Sequence, residues 1–218
     1  MDLYFVRHGK TEWNLEGRYQ GGSGDSPLLP ESIADIKLLA NRLSDIDIKH
    51  VYSSPLKRAK MTSEVLIEDL GKDIPITLVD DLREFNLGIM EGQKFSDLEV
   101  EMPEVVHAFR YSPLDYDYKK IKGESFEDVA DRTTKAIYNI VANYGPDDSL
   151  VIVGHGASSV DMIQSLLGKS ISEIRDYGGL SNTSLTHLDY DVENKKFKLI
   201  KWNETDYLNK ELDKSDTL

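Results

Sequence analysis

Two histidines in this 218-residue chain stand in the same local setting, directly after an apolar run and beside glycine. Residues 3–6 (LYFV) lead into Arg7-His8-Gly9, and residues 150–153 (LVIV) lead into Gly154-His155-Gly156. The first strand therefore delivers a permanent cation and an imidazole side by side. Because two groups that can both carry positive charge repel each other, we expect an anion to bind where these strands end.

A third element is expected to bring a further cation to the same place. Ser54 as N-cap and Pro55 at the first helical position would open a helix with Arg58 in its first turn. In open α/β sheets, ligands bind beyond the carboxyl ends of the strands, and a helix start itself attracts anions. We therefore expect both histidines, Arg7 and Arg58 to converge on one tetrahedral anion. Phosphate is the obvious candidate, because arginine offers fork-like donors to its oxygens.

The elements that must position these residues alternate between strand and helix. The apolar runs predict strands at residues 2–7, around 51–52, at 76–79 and at 150–153, and then an antiparallel pair at 184–190 and 196–202. Helical spacing and caps predict helices at 31–46, from Ser54 to Gly71, from a capping box at Ser125 to about 141, and after Gly156. This order indicates an α/β fold of three layers, with a mostly parallel sheet and helices on both faces.

The chain shows no internal repeat and no linker-like composition, so we predict one domain over residues 1–203. Within it, residues 93–122 are predicted to form a small lid of short helices and loops. Residues 204–218 are polar and are predicted to be a surface tail with some helix. Tyr111, Tyr116 and Tyr118 are interpreted as ordinary packing residues, with the alternative that they wall the substrate pocket.

Charge and composition narrow the classes of partner. A net charge of −13 disfavours nucleic acid and anionic membrane surfaces, since both require a basic footprint. The absence of cysteine excludes disulfides and thiolate metal sites, and with no recognisable signal peptide it favours a cytoplasmic location. No cofactor or metal is expected, and the partner is expected to be a small phosphorylated metabolite. The sequence is compatible with a monomer or a homodimer.

Five blocks of residues, in order along the chain, resemble the signature of the histidine phosphatase superfamily in its phosphoglycerate mutase-like branch. The resemblance spans about residues 2–190. Its blocks are Arg7 to Thr11 with Trp13-Asn14 and residues 17–21, residues 52–59 (YSSPLKRA), Leu82-Arg83-Glu84 with Gly88 and Glu91-Gly92, Gly123-Glu124-Ser125, and Gly154-His155-Gly156.

The resemblance implies a role for each matching residue. His8 would be the nucleophile that takes the phosphoryl group, and Glu84 would donate a proton to the leaving oxygen. The phosphoryl oxygens would be held by Arg7, Arg58 and His155. The phosphate pocket would be lined or supported by Asn14, Gln20, Gly21 and Thr11.

Three functions remain open at this stage. We favour a phosphatase of small phosphate monoesters, because residues 93–122 look shorter than the corresponding insertion of the glycolytic mutases and position 157 is Ala where those mutases carry Asn. A cofactor-dependent phosphoglycerate mutase is the first alternative. The second is a non-catalytic protein that binds a phosphorylated ligand, although such a protein would need no proton donor.

Overall fold

The computed structural model describes residues 1–213 and 215–217, and its centre is a six-stranded sheet in the order β3-β2-β4-β1-β5-β6. The strands are β1 (Asp2–Arg7), β2 (Ile48–Ser53), β3 (Ile76–Leu78), β4 (Ser149–Gly154), β5 (Leu185–Asp191) and β6 (Lys196–Glu204). The first four run parallel to one another, and β5 and β6 add an antiparallel edge. The prediction of a mostly parallel sheet is confirmed.

The register between the two central strands decides where the histidines lie. β1 and β4 pair in parallel from Asp2 opposite Ser149 to Arg7 opposite Gly154. The next residue of each strand is a histidine, so both leave the sheet at the same edge. His8 N donates to the carbonyl of Gly154 at 3.0 Å, which continues the pairing by one residue.

Eight α-helices occur among the described residues. They are α1 (Glu12–Leu15), α2 (Pro30–Leu43), α3 (Lys57–Leu70), α4 (Phe95–Glu101), α5 (Pro103–Tyr111), α6 (Tyr118–Ile121), α7 (Phe126–Val141) and α8 (Ala157–Leu166). The sheet carries α2 and α3 on one face, and α7 and α8 on the other. The prediction of three layers is therefore confirmed.

The two faces of β1 bury different cores because successive side chains of a strand point to opposite sides. Leu3 and Phe5 pack with residues of α7 and α8, whereas Tyr4 and Val6 pack with residues of α2 and α3. Helix α7 begins at the predicted capping box, where the Ser125 hydroxyl accepts from the N–H of Asp128 at 3.0 Å. None of the described helices is long and apolar enough to cross a bilayer.

A separate core cluster supports the segment that we predict as a lid. Phe85, Phe109 and Phe126 meet edge to face or tilted, with ring centroids 5.0 to 5.6 Å apart. Gly88 lets the backbones touch, since a side chain there would place its Cβ 1.8 Å from the carbonyl oxygen of Ile121. This packing attaches α5 and α6 to the loop that precedes α4.

Several predicted boundaries were wrong by a few residues. The second helix ends at Leu43 instead of residue 46, β2 is longer than residues 51–52, and β3 ends at Leu78. The predicted capping by Ser54 was also wrong. Helix α3 begins at Lys57 with Leu56 at its cap, and the Ser54 hydroxyl instead pairs with a histidine ring described below.

We predict a surface tail at residues 204–218, but the described part of this segment is partly buried. A 3₁₀ turn spans Asp206–Leu208, and the side chains of Leu208 and Asp216 are buried. Ser181 and Thr217 form an isolated antiparallel bridge. Asp216 and Thr217 therefore lie at the edge of the sheet from which His8 emerges. Polar contacts hold them there, since this segment has few apolar residues.

Candidate active site

His8 is held as a neutral imidazole with one defined tautomer. Its Nδ1 lies 2.8 Å from the carbonyl oxygen of Gly9, and since a carbonyl can only accept, Nδ1 carries the proton. Burial lowers the pKa of His8 well below its ordinary value, and the charges of Arg58 and Arg7 lower it further. The lone pair is consequently on Nε2 at neutral pH, as a nucleophile requires.

The two predicted arginines are both buried and both held on one side only. Arg7 Nη1 donates to the carbonyls of Leu180 (2.6 Å) and Asp216 (2.9 Å). Arg58 donates from Nη1 and Nη2 to the carbonyls of Gly24 and Gly21 and pairs with Asp25 at 3.1 Å.

Several donors of these arginines remain without an acceptor. Among the described residues, Nε and Nη2 of Arg7 and Nε of Arg58 are buried and make no hydrogen bond. Burial lowers the pKa of Arg7 to about 10, and the nearby negative charge of Glu84 opposes this shift. Because buried donors are normally satisfied, this arrangement is complementary to an anion that supplies oxygen acceptors.

The second histidine meets the first, as the sequence predicted. The ring centroids of His8 and His155 lie 5.3 Å apart at an angle of 61°. His155 Nε2 is 2.7 Å from the hydroxyl of Ser54, which fixes the orientation of the ring. Burial lowers the pKa of His155 well below its ordinary value, with further lowering by Arg58, His8 and Arg7. Two neutral imidazoles and two guanidinium groups thus share one buried site.

Glu84 belongs to the loop after β3, and its side chain lies beside this cage, against the N-terminal end of helix α8. Its carboxylate accepts from the backbone N–H groups of Ala157 (3.0 Å) and Ser158 (2.7 Å) and from that of Phe85 (2.9 Å). Three donors of the main chain fix the carboxyl group in place, and the side chain is almost fully buried. The first turn of α8 therefore sets the position of this carboxylate relative to His155, which lies two residues before the helix.

The loop after β1 brings in the residues that the resemblance assigned to the phosphate pocket. Thr11 caps α1, and its hydroxyl lies 2.9 Å from Asn14 Oδ1 and 2.8 Å from Gln20 Oε1. All three side chains are buried. Thr11, which is fully buried, thus supports the loop: its hydroxyl accepts from the N–H of Asn14 at 3.3 Å and gives its single proton to the amide oxygen of Asn14 or of Gln20.

Gly21 allows this loop to approach the arginine and the Glu84 loop. Its carbonyl accepts from Arg58 Nη2 at 3.0 Å. A side chain at this position would bring its Cβ within 2.4 Å of Glu91 Oε1 and 2.8 Å of the carbonyl of Phe85. The predicted site residues Arg7, His8, Thr11, Asn14, Gln20, Gly21, Arg58, Glu84 and His155 are therefore all brought to one region of the molecule.

Sequence reasoning missed residues that hold the site residues in place. Arg132 of α7 donates to the backbone carbonyls of Arg83 (2.9 Å) and Glu84 (3.2 Å), and it forms a two-point ion pair with Glu124 at 2.9 and 3.0 Å. Asn182 donates to the carbonyl of His8 at 3.1 Å. Arg132 stands in a helix without a motif around it, so its sequence context gave no signal. Glu124 lies in a quoted block and could have been singled out.

A pocket adjoins the cage on the side of Glu84. Its volume is about 190 Å³, and Glu84 and Gln20, which lie beside the cage, are part of its lining. Aromatic or apolar side chains make up most of the remaining wall, namely Tyr19, Leu87, Phe109, Tyr111 and Ala157. Tyr111 thus lines the pocket, whereas Tyr116 is buried in the aromatic core and Tyr118 packs at its margin. Two cations, Arg110 and Arg175, also reach this wall.

Comparison with known proteins gives relatives of both activities considered above. The chain is 30% identical over 191 residues to the probable phosphoglycerate mutase GpmB of Shigella boydii, covering 87% of this chain and 85% of that protein. The GpmB protein of Salmonella paratyphi A is 31% identical over 193 residues with the same coverage.

Solved structures share the whole fold. YhfR of Bacillus stearothermophilus superposes with a TM-score of 0.87 at 28% identity, over 95% of this chain and 99% of that one. A mycobacterial glucosyl-3-phosphoglycerate phosphatase in complex with VO3 gives a TM-score of 0.83 at 28% identity, over 94% and 99% of the two chains. The family description "histidine phosphatase superfamily (branch 1)" matches residues 3–205, and the chain therefore belongs to this superfamily of phosphatases and mutases.

Proposed function

We propose that the protein is a phosphomonoesterase that hydrolyses small phosphate monoesters through a phosphohistidine on His8. The observation that carries the proposal is the setting of this ring. Its Nδ1 proton is held by the carbonyl of Gly9, which leaves Nε2 free, and buried donors of Arg7 and Arg58 nearby have no acceptor among the described residues. A nucleophile and a set of anion donors in one buried site fit phosphoryl transfer.

In the first half of the reaction, His8 Nε2 attacks phosphorus and the bond from phosphorus to the alcohol oxygen breaks. The cage of Arg7, Arg58 and His155 binds the transferring oxygens, and fixed donors in a buried site lower the barrier. Glu84 gives its proton to the departing oxygen. Glu84 lies beside the cage and lines the neighbouring pocket, into which we propose that the alcohol leaves, and this position fits its role as proton donor.

In the second half, water attacks the phosphorus of phosphohistidine. Glu84, now ionised, takes a proton from this water as the bond between nitrogen and phosphorus breaks. Free phosphate leaves, and both His8 and Glu84 return to their starting states. Division of one displacement into two steps is the advantage that covalent catalysis provides.

A phosphoglycerate mutase would return the phosphoryl group to a second hydroxyl of a carboxylate-bearing ligand. The pocket walls are mainly apolar, and the cation Arg110 is already paired with Glu99 at 2.5 Å. These contacts support hydrolysis over isomerisation, although both GpmB relatives bear a mutase name.

The proposal is tested with the wild-type chain and two variants, His8→Ala and His8→Asn. Wild type should release phosphate from 4-nitrophenyl phosphate and, quenched during turnover, should carry acid-labile phosphate, whereas both variants should do neither. Circular dichroism serves as the folding control. Equal activity in the variants would overturn the proposal, as would rapid isomerisation of 3-phosphoglycerate with little release of phosphate.

A further inference from the structure

The pocket next to the cage is the place for the alcohol part of the substrate. Glu84, which would protonate the leaving oxygen, and Gln20, which contacts the loop of the phosphate cage, both face it. Glu84 also lines a second, polar cleft, but Gln20 lines only the first, so we place the alcohol that remains after phosphoryl transfer in this pocket. Its chemistry consequently selects the substrate, and this inference rests on the proposed function.

The size of the pocket suits one ring. A cavity of roughly 150 Å³ lined by apolar side chains is large enough to hold benzene, and this pocket has a volume of about 190 Å³. The walls contributed by Tyr19, Phe109 and Tyr111 are aromatic. Such walls contact the faces and edges of a ring well. They offer the hydroxyl groups of an acyclic polyol few partners, among them the buried hydroxyl of Tyr19, which makes no hydrogen bond among the described residues.

The two cations of the pocket wall are engaged by the protein itself. Arg110 pairs with Glu99 and lies over the rings of Phe95 (5.1 Å) and Tyr19 (5.7 Å). The side chain of Glu99 would stand near any carboxylate that approached Arg110. An added anionic group on the alcohol therefore gains little from this arginine.

The other arginine has no carboxylate partner among the described residues, and its buried Nε makes no hydrogen bond there. Arg175 donates from Nη2 to the carbonyl of Phe109 at 2.6 Å, and its guanidinium lies 5.5 Å from the ring centroids of both Phe109 and Phe126. A guanidinium that is stacked on rings presents a flat, weakly hydrated surface to the pocket. This surface extends the aromatic wall and accepts a further ring against it.

We propose that the pocket selects phosphate monoesters whose alcohol carries a single compact ring, in preference to acyclic alcohols such as glycerol and glycerate. The preference arises from the aromatic wall, and Tyr111 is its most accessible member, with 68% of its surface exposed. Because Tyr111 ends helix α5 and is exposed, its ring can be removed without opening a cavity in the core.

The experiment compares benzyl phosphate with glycerol 1-phosphate and 3-phosphoglycerate. Benzyl alcohol and glycerol are both primary alcohols, so their phosphates differ mainly in the group that enters the pocket and little in the chemistry of bond cleavage. We expect kcat/KM for benzyl phosphate to exceed that for each of the other two at least about tenfold, the discrimination that one well-packed apolar group can supply.

A variant and a matched control locate the preference. Tyr111→Ser should lower kcat/KM for benzyl phosphate about fivefold and change that for glycerol 1-phosphate less than twofold. Tyr138→Ser removes another exposed tyrosine, on α7 outside the pocket, and should change neither.

The possible failures are distinct. If none of the three esters is hydrolysed, and 4-nitrophenyl phosphate is not either, the proposed function fails. If esters are hydrolysed but glycerol 1-phosphate or 3-phosphoglycerate equals benzyl phosphate, the inference about the pocket fails and the phosphatase remains. An equal loss for all esters in Tyr111→Ser would likewise overturn the role of the aromatic wall.

Discussion

The cage around His8 and the pocket beside Glu84 are built from different parts of the fold. Three cage residues lie at the ends of sheet strands: Arg7 is the last residue of β1, and His8 and His155 are the first residues after β1 and β4. The fourth, Arg58, lies in the first turn of α3. The pocket walls come largely from α5 and from residues 175–179, which lie outside the sheet. Arg7 and Arg58 are each 1% exposed, whereas Tyr111 is mostly exposed. One region is fixed by the core of the protein, and the other is attached to it.

This difference separates two tasks. The phosphoryl group is the same in every phosphate monoester, so a rigid arrangement of donors serves all substrates. The alcohol varies, and a wall made of loops and short helices can change without disturbing the sheet. Changes in the cage should therefore reduce activity on all substrates alike, and changes in the pocket should alter the ratio between substrates. Glu84, on the boundary, should show a third pattern that depends on the leaving group.

The largest effect is expected for Glu84→Gln. An amide cannot donate the proton that an alkoxide needs, so kcat/KM for benzyl phosphate, which reports the first half of the reaction, should fall about 10³-fold. The 4-nitrophenolate ion leaves without a proton, so kcat/KM for 4-nitrophenyl phosphate should fall far less, while the slower hydrolysis of the shared phosphohistidine lowers kcat for both esters. Steady-state kinetics with both esters measure the difference. Equal losses of kcat/KM on both would mean that Glu84 positions the site and does not act as the acid.

A cage variant should show the opposite pattern. Arg58→Lys keeps the positive charge and removes the fork of donors that holds the carbonyls of Gly21 and Gly24. We expect kcat/KM to fall about 10²-fold, by the same factor for benzyl and 4-nitrophenyl phosphate. Arg42→Lys, which alters a surface pair with Glu204, is the control. A loss confined to one ester would break the division between cage and pocket.

Arg132 should act through Glu84, so a change at Arg132 should cause a smaller, ester-dependent loss of the kind predicted for Glu84→Gln. Its guanidinium donates to the carbonyl of Glu84 and is clamped by Glu124. Arg132→Lys should lower kcat/KM about tenfold for benzyl phosphate and about twofold for 4-nitrophenyl phosphate, since the proton donor shifts while the cage stays. The control is Arg83→Lys, a change in the loop that carries Glu84. If both esters lose activity equally, Arg132 has a general structural role.

The sequence predicted the cage because local signals and sheet topology agree there. The apolar runs before His8 and His155 predicted buried parallel strands, and parallel strands end at the same edge. The helix after β2 was predicted with Arg58 in its first turn, which is confirmed although the helix starts later. Ser54 was misread as a cap because serine before proline is a common helix start, and its pairing with His155 depends on a contact 101 residues away.

The pocket could not be predicted because it depends on how separate segments pack. Tyr111, Tyr116 and Tyr118 look alike in sequence, yet only the first of them lines the pocket. Whether an aromatic residue faces a core or a ligand is decided by the docking of α5 against Phe85 and Phe126. The contacts of Asp216 with Arg7 and Lys10 were hidden for the same reason, since no periodicity marks a polar segment that returns to a sheet edge.

The strongly lowered pKa values of His8 and His155 predict how the free energy of unfolding depends on pH. The unfolded chain takes up protons on histidine at and below a pH of about 6.5, whereas burial keeps folded His8 and His155 neutral. The free energy of unfolding should thus fall as the pH drops, by about 1 kcal/mol per histidine between roughly pH 6.5 and pH 5.5. Urea titrations should show a shallower fall in His155→Asn, and an unchanged fall in the control variant of exposed His107, His107→Asn. An identical pH dependence in His155→Asn and wild type would contradict a neutral buried pair.

The smallest effect is expected at the tail, whose residue Asp216 contacts Arg7 of the cage. The Asp216 carbonyl accepts from Arg7 Nη1, and its carboxylate lies 3.0 Å from Lys10 Nζ. Asp216→Asn removes the charge of this nearly buried pair, so the tail should hold Arg7 less firmly. We expect kcat/KM to fall about threefold for benzyl and 4-nitrophenyl phosphate alike, as for a weakened cage contact. Asp206→Asn, whose carboxylate pairs with Lys201 at the surface, should be silent. A change in the ratio of kcat/KM between the two esters would mean that the tail acts on the pocket. The cage and the pocket would then be coupled through Arg7, and their separation would not hold.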